Sequence, residues 1–62
     1  MKIMDLVETF DSDIEILLKG KNHSTWIGEI SDIPEEFYKY SLYRIYINDN
    51  SLIADCNGQL HW

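Results

Sequence analysis

The chain has 62 residues, 45% of them hydrophobic and 13% aromatic, which is too apolar for a disordered segment and too short for more than one small domain (residues 1–62). Eleven acidic against five basic side chains give a formal charge of −6, which disfavours direct nucleic-acid binding by charge neutralisation and favours a partner with a basic surface. No apolar run reaches the roughly 20 residues that cross a bilayer, and Asp5 stands where a signal peptide would have its apolar stretch, so no membrane partner and a cytoplasmic location are expected.

A chain this small buries only about 60% of the surface its unfolded form exposes, so its stability is marginal. Disulfides, metals or oligomerisation usually make up the difference. Cys56 is the one cysteine, so no intrachain disulfide can form, and a lone thiol suits a reducing compartment. Oligomerisation or docking on a partner is the expected supplement.

In residues 2–10, Ile3, Leu6, Val7 and Phe10 follow an i, i+3, i+4, i+7 spacing, which predicts a helix with one apolar face. Asp11, Ser12 and Asp13 then favour a turn, because their side chains bond nearby backbone better than they extend a helix. Residues 14–19 alternate as a strand, with Ile14, Ile16 and Leu18 on one face and Glu15, Leu17 and Lys19 on the other. Residues 20–24 form a loop. Residues 25–31 give a second strand, with Trp26, Gly28 and Ile30 opposite Ile27 and Glu29, and complete a hairpin. Gly20, Gly28 and Gly58 are expected at a turn, a bulge and a turn.

Pro34 followed by Glu35 and Glu36 predicts a second helix over residues 34–40, with Phe37 facing inward and Tyr40 as a second candidate for that face. Residues 42–48 are the clearest strand, in which Tyr43, Ile45 and Ile47 alternate with Leu42, Arg44 and Tyr46. Asn48, Asp49, Asn50 and Ser51 predict a tight turn into a last strand over residues 52–56. Asn57 and Gly58 end that strand, and residues 59–62 are expected to be a loose tail.

This order predicts an α+β fold of helix, hairpin, helix and hairpin: a four-stranded antiparallel sheet with two short helices on one face. The core face would carry Ile14, Ile16, Leu18, Trp26, Ile30, Ile45 and Ile47. The opposite face would carry Leu17, Ile27, Leu42, Tyr46 and Ile53, interrupted by Glu15, Glu29, Arg44 and Asp55. An apolar patch rimmed by charges suits association, with a homodimer as its simplest form.

Two acidic clusters stand out. One is Asp11, Asp13 and Glu15, and the other is Glu29, Asp32, Glu35 and Glu36. They suit a partner with a basic surface and could imitate phosphate spacing; a solvated acidic face is the plainer alternative. Tyr38, Tyr40, Tyr43, Tyr46 and Trp62 are of the residue types that anchor interfaces.

Other constellations fall short of chemistry. Asp11, Asp13 and Glu15 begin like a calcium loop, but Ile16 replaces its glycine and Asn22 its final acid. Cys56, His23 and His61 match no zinc spacing. A Cys56–His61 nucleophile pair lacks an orienting group and an oxyanion site. No glycine-rich phosphate loop is present. Neither catalysis, a metal nor a cofactor is expected.

The stretch Met4-Asp5-Leu6-Val7-Glu8 with Asp13-Ile14-Glu15-Ile16, and later Gly28-Glu29-Ile30-Ser31-Asp32-Ile33-Pro34 with the strand from Tyr43 to Ile47, resembles small acidic proteins of bacteriophages and mobile elements of Gram-positive bacteria. Cys56 and the Trp62 end lie outside that pattern. Proteins of this size and charge resemble phage anti-defence proteins, including anti-CRISPR proteins. The resemblance implies stoichiometric inhibition of a host defence effector, with nucleic-acid mimicry as one form of it, and a host-cytoplasmic setting; it transfers no site residues. The alternatives are a homo-oligomeric assembly protein of a phage or mobile element without inhibitory activity, and a sponge for a nucleotide signal that would draw on Lys19, Lys21 and Arg44.

Overall fold

The computed structural model describes residues 1–60. It contains helix α1 (Ile3–Thr9) and strands β1 (Glu15–Lys19), β2 (Thr25–Glu29), β3 (Leu42–Asn48) and β4 (Ser51–Cys56), with short 3-10 turns at Lys21–His23, Ile30–Asp32 and Glu35–Phe37. The strands form a four-stranded sheet in the order β2-β1-β4-β3. Both hairpins are antiparallel, as expected, but β1 and β4 pair in parallel at its centre. The sheet is therefore mixed rather than wholly antiparallel.

The cause lies in the segment between the hairpins. Ile30, Ile33 and Phe37 are all buried, so the chain cannot turn straight back at the end of β2. It crosses the sheet face instead. The N–H of Ile30 bonds the carbonyl of Ile14 at one end of the sheet, and Tyr40 meets Gln59 at the other. The crossing delivers β3 to the end where β2 began. The strand β3 then runs in the direction of β2, and β4 in the direction of β1.

The same segment does not form the expected second helix. Pro34 has an extended ψ of 139°, and only Glu35–Phe37 turns, as a 3-10 segment. The segment has to cross the sheet face to reach the start of β3, and 3-10 geometry, which rises further per residue than an α-helix, serves such short connecting pieces. Phe37 nevertheless faces inward and stacks on Tyr40, with ring centroids 5.9 Å apart.

The helix α1 lies in the same layer. Its apolar spacing buries Ile3 and Leu6 completely and seats Val7 and Phe10 at the edge of the core. Its first free N–H groups are satisfied by the crossing segment: Ile3 donates to the carbonyl of Tyr40 and Met4 to that of Tyr38. The N–H of Lys2 donates to Asp5 Oδ2 at 2.9 Å. Beneath this layer the sheet contributes Ile16, Leu18, Trp26, Ala54 and Cys56.

Four details differ from the alternation read in the sequence. The bulge is not at Gly28, which pairs regularly with Ile16; it lies between Leu42 and Arg44, leaving Tyr43 outside the ladder. That extra residue reverses the facing of Leu42, which opposes Cys56 and packs against the core rather than lying on the opposite face. Ile47 pairs with Leu52 on the covered side, but it is 74% exposed because it lies near the tip of the β3–β4 hairpin. Finally, Gln59 and Leu60, read as tail, are held in place. Leu60 is buried and donates its N–H to Ser24 Oγ, and the Gln59 carbonyl accepts from Tyr40 Oη. His61 and Trp62 lie outside the described residues.

Candidate functional site

Among the described residues the covering layer occupies one face of the sheet only. On the other face the strand registers align side chains in rows that cross all four strands. Leu17 opposes Ile27 on β2 and Ile53 on β4, and Ile53 opposes Tyr46 on β3. The result is one continuous row, Ile27–Leu17–Ile53–Tyr46. Ile53 is only 6% exposed yet lies outside the core cluster, because it sits on a central strand between Leu17 and Tyr46. Ile27, on the edge strand, is 58% exposed.

A charged row lies on each side of the apolar one. On one side Glu15 directly opposes Glu29, and Asn48 opposes Ser51. On the other side Lys19 opposes Thr25 and Asp55, and Asp55 opposes Arg44. Arg44 Nε stands 3.4 Å from Asp55 Oδ2, and its guanidinium lies over the Tyr46 ring, 4.4 Å from the centroid. The Arg44 stem and head thus border the apolar row and shield one side of Tyr46.

The two acidic clusters of the sequence largely become one. Beyond the paired Glu15 and Glu29, the N–H of Ile30 bonds the Ile14 carbonyl and that of Ser31 bonds the Ser12 carbonyl at 3.0 Å. These bonds continue the pairing past the strand ends. They bring Asp11 and Asp13 beside Asp32 at the same end of the sheet as Glu15 and Glu29. All five carboxylates are exposed. Glu35 and Glu36 do not join them: their turn belongs to the layer over the other face. The backbone pairing of Ser12 with Ser31 is non-local, and no local pattern announces it.

The aromatic residues also separate. Tyr46 lies in the apolar row, and Tyr43 projects from the bulge at 72% exposure. Tyr38 and Tyr40 are half-buried in the covering layer, and Trp62 lies outside the described residues.

The opposite end of the sheet is the more basic. It holds Lys19, Arg44 and the loop bearing Lys21 and His23, where Asn22 and His23 take positive φ angles of 58° and 60°. An open depression there is lined by Lys19, Gly20, Asn22, His23, Ser24 and Thr25. Among the described residues Arg44 is engaged by Asp55, and Lys19 and Lys21 are exposed.

Cys56 is buried, and its thiol points to the Gly58 carbonyl with Sγ 3.8 Å from the oxygen. Burial pushes its pKa up, the bond to Gly58 lowers it in part, and Asp55 adds to the rise. A protonated, buried thiol is a poor nucleophile. Among the described residues no group of three or more His, Cys, Asp or Glu side chains is placed to hold a metal ion, and no helix is long and apolar enough to cross a membrane.

Comparison with protein-family models, with curated proteins and with solved structures finds no match to this chain.

Proposed function

We propose that this protein acts by stoichiometric binding rather than catalysis, and that its acidic end engages a partner protein with a basic surface. The observation that carries this reading is the convergence of Asp11, Asp13, Glu15, Glu29 and Asp32 at one end of the β1–β2 pair. Like charges directly opposed across two strands destabilise a sheet. Glu15 and Glu29 are therefore maintained at some cost to folding, and such local conflicts tend to fall at functional positions. In the form implied by the resemblance to phage anti-defence proteins, the partner is a nucleic-acid-dependent defence effector of a bacterial host, and the carboxylates occupy the surface that would hold phosphates.

The test is a titration of the purified chain against a panel of nucleic-acid-dependent defence nucleases. Loss of activity that is complete near one equivalent, and is relieved by excess nucleic acid or by salt, supports the reading. Unchanged activity across the panel at excess chain removes the anti-defence form. The assembly-protein alternative draws on a different feature, the apolar row.

A further inference from the structure

We infer that the helix-free face of the sheet takes a second copy of this chain, related by a two-fold axis that runs along the row Ile27–Leu17–Ile53–Tyr46. The face is apolar along its middle, acidic on one side and mixed but cation-bearing on the other. A face-to-face pair with two-fold symmetry needs its axis in the plane between the sheets. An axis along the apolar row lays that row on itself and exchanges the two sides. Glu15 of one copy then faces Lys19 of the other, Glu29 faces Thr25, and Asn48 faces Arg44. The acidic end of each copy lies over the end of the other that bears Lys19, Lys21 and Arg44. An axis along the strands would instead stack the acidic end of one copy, Asp11, Asp13, Glu15, Glu29 and Asp32, against its counterpart. In a chain of charge −6 that arrangement is opposed by repulsion, so charge complementarity selects the first axis.

The covering layer explains why the dimer uses this face. The other face is closed by α1 and the crossing segment, whereas Ile27 is 58% exposed on the open one. Strands about 4.8 Å apart and residues rising about 3.4 Å each frame a face on the order of 300 Å². A standard interface buries roughly 800 Å² per partner. The dimer is therefore of the weak, transient kind. This inference shares Glu15 and Glu29 with the binding reading above and differs from it at Asp11, Asp13 and Asp32, which lie beyond the strand ends.

Sedimentation and light scattering over a concentration series up to about 1 mM, at low salt, test it. The wild type passes from monomer to dimer. Ile27→Glu, at a position already exposed in the monomer, abolishes the dimer while far-UV circular dichroism is unchanged. Glu15→Lys weakens dimerisation on the order of tenfold even though it makes the chain less negative, because the introduced ammonium then faces Lys19 of the other copy, once in each half of the pair. Glu15→Lys with Lys19→Glu restores the wild-type constant. A wild type that stays monomeric at about 1 mM overturns the inference, as does a dimer that survives Ile27→Glu. A dimer tightened by Glu15→Lys overturns the axis. Loss of nuclease inhibition without loss of the dimer, or the reverse, separates this inference from the proposed function.

Discussion

Glu15 and Glu29 face each other directly across β1 and β2, two like charges in the row that borders the apolar side chains of the open face. Replacing Glu29 with Gln should raise stability by on the order of 0.5 kcal/mol at low salt, and the gain should shrink as salt screens the pair. Urea denaturation at two ionic strengths checks this. A variant less stable than the wild type would show that the pair is not a cost to the fold.

Gly58 lies against the ring of Tyr40, where an added Cβ would overlap the ring carbons. No glycine among the described residues has a positive φ, so the need for glycine at this position is steric and not conformational. The replacement Gly58→Ala should cost about 1–3 kcal/mol by overpacking. In the background Tyr40→Leu the cost should fall by more than half, since a smaller side chain yields the space. Thermal unfolding of the four chains in that cycle gives the answer, and additive effects would contradict it.

Cys56 ionises less readily in the folded chain than at its ordinary value of 9.0, chiefly because it is buried. A group whose folded pKa is raised contributes stability that is present below the unfolded pKa and is lost as pH rises toward the folded one. The difference in stability between wild type and Cys56→Ala should therefore be constant near neutral pH and narrow above about pH 9. Alkylation of the native thiol should be slow and should accelerate with denaturant. Rapid native labelling at pH 7 would contradict the burial.

The β3–β4 turn places both central residues at positive φ, 52° at Asp49 and 64° at Asn50, as a type I′ hairpin turn requires. Changing Asp49-Asn50 to Asn-Gly, the pair this turn favours, should stabilise the fold by about 0.5–1 kcal/mol. Chemical denaturation checks it, and a loss of stability would mean that the turn is of another type.

Local periodicity was enough to place α1 and the alternation in β1 and β2, because burial on one face imposes it directly. The same alternation foretold Leu17, Ile27, Tyr46 and Ile53 on the open face. It failed at Leu42, since an inserted residue at the bulge reverses facing without leaving a mark in composition. It also failed on the parallel pairing of β1 with β4. That pairing depends on where Ile30, Ile33 and Phe37 are buried together, which is a property of the whole fold. The union of the acidic clusters is legible in half: Glu15 and Glu29 follow from the hairpin register, whereas the approach of Asp32 to Asp11 and Asp13 depends on the Ser31–Ser12 bond. Glu35 and Glu36 are close to Glu29 and Asp32 in sequence, but their turn lies in the layer over the other face.

The most direct measurement is the inhibitory titration repeated with Asp13→Asn, Glu29→Gln and Asp32→Asn combined in one chain, against a nuclease that the wild type inhibits. These side chains are exposed and bear no part of the core, so the variant should keep its fold. If the acidic end is the contact, inhibition falls by at least about tenfold, as expected when several charge-assisted contacts to a basic surface are removed. Full inhibition by the folded variant would show that the acidic end is not the contact.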